Sequence, residues 1–368
     1  MVISSIIFII ALLYLIEVFT VIKLWRNTKT DVLETGVSSK KTISVIIPFR
    51  NERNNLSHLL ESLENQSEKE NTEFIFVDDH SIDNGKELIK TSDLNFKLIE
   101  LSDNEKGKKT AIKKGVEYSS SDVIITTDAD CTHPTNWIKT IKSYFEVHQP
   151  DLLIVPVSYS NHPNSVISFL AYFEFIALQL FGGAKAIKNI PILANGANLA
   201  FKKSVYSFHK TLPEIASGDD VFLLHYLKKE KATINYLKSK EVLVKSRFPA
   251  TISSILNQRI RWAKKSASVS DISFTYLGIV IFFMNLSLLA LFIFTILNMS
   301  VFWLFLVLFI SKLIADYRLL IASKDLFSTT VPFGIFTLCQ LIYPIYFIFI
   351  ALNLIFRRSP YWKDRKVN

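Results

Sequence analysis

The sequence predicts an α/β fold, a mostly parallel sheet with flanking helices, joined to transmembrane helices. Three observations predict it. Short β-branched apolar runs alternate with amphipathic stretches between residues 43 and 144, the pattern of parallel strands linked by helical crossovers. Polar and acidic residues follow those runs directly, as Asp128-Ala129-Asp130 follows the run from Asp122 to Thr127. Long apolar stretches lie near both ends, from Val2 to Trp25 and again beyond Phe274.

Taken in order, residues 1–26 read as a transmembrane anchor. Between Val2 and Trp25 the only formal charges are Glu17 and Lys23, and the run is long enough to span a bilayer. No basic stretch precedes it and no small-residue cleavage site ends it, so a retained anchor is expected. Residues 27–41 are a polar linker and residues 42–250 the α/β domain. Within it, Ile43 to Ile47 is a strand closed by Pro48, followed by the loop Phe49-Arg50-Asn51-Glu52. Asn54 to Leu63 is a helix with Leu56, Leu59, Leu60 and Leu63 on one face. Glu73 to Val77 is a strand ending in Asp78-Asp79, and Ser81 or Asp83 can cap the helix that runs to Lys90. Phe96 to Leu101 is a third strand, Gly107-Lys108 opens a helix through Gly115, and Thr135 to Tyr144 is a helix after the Asp128 strand.

Further on, Val166 to Lys185 is an apolar, aromatic helix, either buried or lying on a membrane surface. Asn195-Gly196-Ala197-Asn198 precedes a short strand, Leu199 to Phe201, and Ser217-Gly218-Asp219-Asp220 precedes Val221. Residues 251–272 form an amphipathic interfacial helix, residues 273–356 carry three apolar membrane runs, and residues 357–368 are a basic tail. The net charge of +9 is assigned to lysine and arginine flanking membrane segments rather than to nucleic acid, for which no motif exists. The two cysteines, Cys131 and Cys339, form no metal-spaced cluster and no disulfide framework.

The polar residues share an address. Asn51, Glu52, Asp78, Asp79, Lys108, Asp128 and Asp130 all follow strands, and ligands of open α/β sheets bind beyond the carboxyl ends of strands. Asp128 and Asp130 offer two hard oxygen ligands suited to Mg²⁺ or Mn²⁺ shared with substrate phosphates. Lys108 at a helix start can attract phosphate. Taken singly, each also reads as a cap or a surface residue. Asp219-Asp220 offers a candidate base or a helix cap. Gln258, Arg261 and Trp262 stand at i, i+3 and i+4, on one helix face, and suit a diphosphate and a sugar-ring platform. A basic interfacial helix is the plainer reading of the same residues.

Together these residues resemble the membrane-bound family 2 glycosyltransferases, with a GT-A nucleotide-binding fold. The likeness runs through Pro48 to Glu52, Asp78-Asp79, Gly107-Lys108, Asp128-Ala-Asp130, Asn195-Gly-Ala-Asn198, Asp219-Asp220 and Gln258-Arg-Ile-Arg261-Trp262. The last is the signature of cellulose, chitin and hyaluronan synthases, and in variant form of ceramide glucosyltransferases. The resemblance implies an inverting, metal-dependent transferase that takes an NDP-sugar, a UDP-sugar above all, to a lipid or glycan hydroxyl. It implies donor-nucleotide contacts from Pro48, Asn51, Glu52, Asp78, Asp79, Lys108 and Asp128, and a metal on Asp128 and Asp130. Asp220, with Asp219 beside it, is the implied base. Gly196, Asn198, Gln258, Arg261 and Trp262 are the implied contacts to acceptor and diphosphate. Two departures stand out: Asp219 where the family has Glu, and Lys113 where it often has Asn. The alternatives are a processive polysaccharide synthase, a nucleotidyltransferase, and a catalytically inactive membrane scaffold.

Charge sets the expected topology. Lys23, Arg26, Lys29, Lys264 and Lys265 place the α/β domain on the cytosolic side of the cell's inner membrane. Lys312, Arg318 and Lys324 put the next flank inside as well. A full crossing by the last run would then leave the basic tail outside, so a hairpin turning at Pro344 is expected, with the tail cytosolic.

Overall fold

The computed structural model describes residues 2–31, 41–160, 163, 165–206, 219–330, 332–355, 361–362 and 365–366. The chain divides into two compact units. One comprises Lys29–Asn161, Leu193–Phe248 and Tyr361–Asn368; the other comprises Met1–Thr28, His162–Ile192 and Pro249–Pro360. Chain order runs α1 (Val2–Asn27), β1 (Ile43–Phe49), α2 (Arg53–Glu64), β2 (Thr72–Asp78), α3 (Gly85–Lys90), β3 (Phe96–Glu100), α4 (Lys108–Tyr118), β4 (Val123–Thr127), β5 (Cys131–Thr132) and α5 (Trp137–His148). It continues with β6 (Leu152–Ile154), β7 (Val157–Tyr159), α6 (Val166–Ile187), β8 (Asn198–Lys202), α7 (Asp219–Lys229), β9 (Ile234–Tyr236) and β10 (Val244–Ser246). Four helices follow: α8 (Ile252–Ala267), α9 (Ile272–Leu297), α10 (Phe302–Phe327) and α11 (Phe333–Ile355).

The first unit is built on a seven-stranded sheet in the order β3-β2-β1-β4-β8-β6-β9. Strands β1 to β4 are mutually parallel, in registers such as Ile46↔Ile75 and Ile43↔Val123. Every residue of β1 and β4 is buried, as near-continuous apolar runs in a sheet covered on both faces require. Pro48 lies in β1 beyond Ile46, the last residue paired to β4, where a central strand no longer demands its N–H. Strand β8 runs antiparallel to β4 and to β6. Helix α2 buries Leu56, Leu59, Leu60 and Leu63. Helix α4 comes so close to β1 that a Cβ on Gly115 would stand 2.5 Å from Ile46 Cγ2.

A second sheet, β5-β10-β7, adds short strands of two or three residues. With β6 and β9 these are the strands that the sequence pattern does not announce, because so few residues cannot display a period of two. The expected 42–250 domain is also interrupted: His162–Ile192, with α6, belongs to the helical unit.

Among the described residues of that unit five helices, α1, α6, α9, α10 and α11, are long and apolar enough to cross a membrane, and the chain is a membrane protein. Helix α6 is the most buried of the five, 61% of its apolar window against 22–33% in the others, as a core helix would be.

Two topological expectations are corrected. Helix α11 runs unbroken from Phe333 to Ile355 with Pro344 inside it, so there is no hairpin at that proline. One proline removes a single helical N–H, which a packed bundle tolerates. Lys312 is not a flanking charge: it is 1% exposed within α10, and its Nζ lies 2.6 Å from Asp316 Oδ2 and 2.7 Å from Gln340 Oε1. Arg357, Arg358 and Lys363 lie outside the described residues, and the expected tail placement with them.

Candidate active site

The carboxyl ends of β1, β2 and β4 lie on one edge of the sheet because the three strands are parallel neighbours. That edge carries Asn51 and Glu52, then Asp78 and Asp79, then Asp128. The antiparallel register Thr127↔Asn198 brings the Asn195–Asn198 turn to the same edge.

The β1 and β2 tips are lashed to each other. Asn51, at φ 52°, accepts from the Ile82 amide at 2.9 Å, and its own amide donates to Ser81 Oγ at 3.0 Å. Asp78 and Asp79 are each 1% exposed. Asp78 Oδ1 accepts from the Ser81 amide at 2.9 Å, and Asp79 Oδ2 from the Gly107 amide at 3.1 Å. Arg50 donates to the Asp79 carbonyl at 2.7 Å. Glu52 sits at the N-cap of α2 without a capping side-chain bond, and its carboxylate accepts instead from Asn55. The Asp79 bond anchors the loop that delivers Lys108 at the start of α4. The Lys108 ammonium contacts Asp128 Oδ1.

Asp128 and Asp130 differ from Asp78 and Asp79 in exposure. The Asp128 side chain is 33% exposed, and Asp130 is half-buried. Asp130 accepts from Ser246 Oγ at 3.5 Å, and its carbonyl accepts from the Arg247 amide at 3.2 Å. Strand β10 therefore packs its end against the acidic turn, a neighbour the sequence reading missed. No group of three or more His, Cys, Asp or Glu side chains able to hold a metal exists among the described residues. Two partly exposed hard-oxygen donors fit a divalent ion that completes its shell with water or phosphate, as Mg²⁺ usually does. Cys131 offers no thiolate there: burial first, then Asp130 and Asp128, pushes its thiol up. Behind the turn His133 is wedged between Thr127 Oγ1 at 2.8 Å and Ser62 Oγ at 3.2 Å, stacked on Trp137. Burial lowers its pKa from 6.5 to about 3, so it stays neutral.

Asp220 opens α7 and is 6% exposed. Its Oδ2 accepts from the Gly196 amide at 2.9 Å and its Oδ1 from the Val221 amide at 2.8 Å. Gly196 thus meets the predicted base directly. Ser217 and Gly218 lie outside the described residues, and Asp219 is described only as the first residue of α7. Asn198 takes a different role from the one its motif implies. It is fully buried, accepts from Trp137 Nε1 at 3.0 Å, and donates to the Pro156 and Val242 carbonyls at 2.8 Å each. Its amide is consumed by cross-linking the fold and does not suit an acceptor contact.

Gln258, Arg261 and Trp262 lie on α8, in the helical unit. The Trp262 ring centre is 5.8 Å from that of Phe175 on α6. Between Gln258 and Arg261 stands Arg259, only 4% exposed, on a helix whose sequence pattern is amphipathic.

Residues 44–206 match the family model described as "Glycosyl transferase family 2", and the sheet unit has the GT-A fold. The dolichol-phosphate mannosyltransferase of Pyrococcus furiosus is 38% identical over 94 residues, 25% of this chain and 26% of that protein. The glycosyltransferase AglE of Haloferax volcanii is 27% identical over 191 residues, 51% of this chain and 60% of that one. The chain therefore spans less than two thirds of the length of either relative. Among solved structures, the mannosyltransferase PcManGT of Pyrobaculum calidifontis, in complex with GDP-Man and Mn²⁺, aligns over 97% of both chains at a TM-score of 0.57. At 16% identity that likeness is one of fold.

Proposed function

We propose that the chain is an inverting glycosyltransferase that moves a sugar from a nucleoside-diphosphate donor, a UDP-sugar first among them, to an oxygen of a lipid-linked acceptor. The observation that carries this reading is the Asp128-Ala129-Asp130 turn, partly exposed at the carboxyl edge of parallel strands, with Lys108 on Asp128. Asp78 and Asp79, with Pro48, Asn51 and Glu52, shape the nucleoside end. Asp128 and Asp130 would hold Mg²⁺ or Mn²⁺, which when bound supplies positive charge against the leaving diphosphate. Lys108 adds a second positive charge. Asp220 takes the acceptor proton. Gln258, Arg261 and Trp262 serve the acceptor and diphosphate. The membrane helices and the P. furiosus relative support a lipid-linked acceptor, and cytosolic nucleotide sugars place the catalytic side on the cytosolic face of the inner membrane. The Gln258-x-x-Arg261-Trp262 signature favours a second reading, a processive polysaccharide synthase.

Membranes containing the chain, incubated with labelled UDP- and GDP-sugars and extracted with organic solvent, separate the two. Label in the lipid extract supports the first reading, and label in insoluble polymer the second. No label from any donor, with none in extract or polymer, overturns both and returns the inactive scaffold.

A further inference from the structure

We infer that Arg259 is a positioning residue for the Gln258 and Trp262 side chains, holding them in one arrangement through a buried knot of α6, α8 and α11. The inference rests on the role given above to Gln258 and Trp262. Arg259 Nε donates to Glu174 Oε2 at 2.5 Å, one terminal nitrogen donates to Gln258 Oε1 at 2.6 Å, and the other donates to the Ala171 carbonyl at 2.7 Å. Its guanidinium carbon also lies 4.5 Å from the centre of the Trp262 ring. Glu174 accepts a further bond from Tyr346 Oη on α11 at 3.2 Å.

The chemistry of the guanidinium explains why this position is arginine. Its planar fork presents donors in several fixed directions and stacks on aromatic faces at once. Neutralising Glu174 needs only a positive charge, which a lysine would supply. Meeting Glu174, Gln258 and Ala171 while covering Trp262 needs the fork. Engaging the Gln258 amide oxygen fixes which way that amide points, and stacking on Trp262 fixes the ring opposite its Phe175 contact. The residue between the signature positions therefore sets the geometry of the signature residues themselves.

Arg259→Lys tests this because it keeps the charge opposite Glu174 and removes the fork. With 5-fluorotryptophan in place of the five tryptophans, the fluorine resonance of Trp262, assigned by Trp262→Phe, is expected to shift or broaden in Arg259→Lys while that of Trp137 stays in place. An unmoved Trp262 resonance overturns the inference whether or not the protein transfers sugar. In transfer assays, Arg259→Lys is expected to lower kcat by about a hundredfold, the scale of an ångström-sized misplacement, with donor KM unchanged. Adding Arg259→Lys to the double variant Gln258→Ala/Trp262→Ala is expected to slow it no further, since Arg259 acts through those two side chains. Multiplying losses overturn the inference. Arg259→Met/Glu174→Met guards against misfolding, because an apolar pair replaces the ions; wild-type transfer from that folded variant would make Arg259 merely structural. A wild-type protein that transfers nothing sinks the proposed function alone, since the fluorine readout still decides the role of Arg259.

Discussion

The sheet edge and the helical unit both carry charged side chains, but they treat them in opposite ways. In the helical unit three little-exposed pairs cancel internally. Arg259 and Glu174 are 4% and 12% exposed, Lys312 and Asp316 2% and 13%, and Lys185 and Glu17 17% and 14%. Each lies within ion-pair distance of its partner, as charges among apolar helices must to offset desolvation. At the sheet edge Asp128 stays 33% exposed beside a 22% exposed Lys108, and Asp130 is half-buried, with the Ser246 hydroxyl 3.5 Å from its carboxylate. A charge kept at the surface beside another strand tip is available for a ligand. A charge buried against its opposite is available for architecture. Lys108 and Asp128 are therefore read as chemistry, and the pairs Arg259–Glu174, Lys312–Asp316 and Lys185–Glu17 as assembly.

The comparison breaks most readily at Asp220, a buried carboxylate that is assigned the proton transfer itself. Asp220→Asn is expected to cut transfer by about 10²- to 10⁴-fold, the usual worth of a general base. Nucleotide affinity should hardly change, because the proposed nucleoside contacts lie at the tips of β1 and β2, away from α7. Equal loss of nucleotide affinity would move Asp220 into the donor site. A loss of only severalfold would mean that the attacking oxygen is already anionic, as in a phosphate acceptor.

In the helical unit the counterpart is Lys312. Lys312→Met alone strips Asp316, 13% exposed, of its counter-charge while Tyr14 Oη still donates to it at 2.6 Å, and should destabilise the protein by up to about 3–5 kcal/mol. The paired change Lys312→Met/Asp316→Leu should recover most of that loss in thermal melts in detergent, and transfer activity with it. If the paired variant melts normally but transfers nothing, the ion pair has a chemical role and the contrast between the units fails there.

Packing in the sheet unit gives a smaller effect. Gly115→Ala would set a Cβ 2.5 Å from Ile46 Cγ2 and within 3.3 Å of two more carbons of the same fully buried side chain. Overpacking of this kind costs about 1–3 kcal/mol, more than the helix propensity of alanine returns. A raised melting temperature would show that α4 can lift off β1 freely.

The mildest test concerns His133. Its folded pKa lies near 3, below the unfolded 6.5, so the unfolded chain binds the proton first. The contribution is complete above about pH 6.5 and falls by up to about 1.4 kcal/mol per pH unit until the folded pKa is reached. The melting temperature of wild type should fall between pH 7 and 4 more steeply than that of His133→Gln. Parallel profiles would mean that His133 is hydrated in the fold.

Much of the sheet was legible because β1, β2 and β4 are uninterrupted apolar runs, and the acidic turn because Asp128 and Asp130 flank the end of such a run. Strands β5, β7 and β10 were not, since their two or three residues take their conformation from neighbours rather than from pattern. Asn198 was misread because a motif does not say whether an amide faces a ligand or the Pro156 and Val242 carbonyls. The hairpin at Pro344 is an expectation from the charge of the basic tail, which does not say whether a packed helix absorbs a proline, as α11 does. Arg259 reads as one more basic residue on an amphipathic helix; its bonds to Glu174, Gln258 and Ala171 and its place over the Trp262 ring distinguish it.

The central claim, that the sheet edge is a metal-dependent nucleotide site, is tested most directly by calorimetric titration of UDP and GDP into the purified protein. Wild type and Asp130→Asn are compared with Mn²⁺ and with EDTA. The account predicts that one nucleotide binds wild type with Mn²⁺, and that EDTA and Asp130→Asn each weaken that binding sharply while the melting temperature is kept. Equal binding under all four conditions, or none under any, would contradict it.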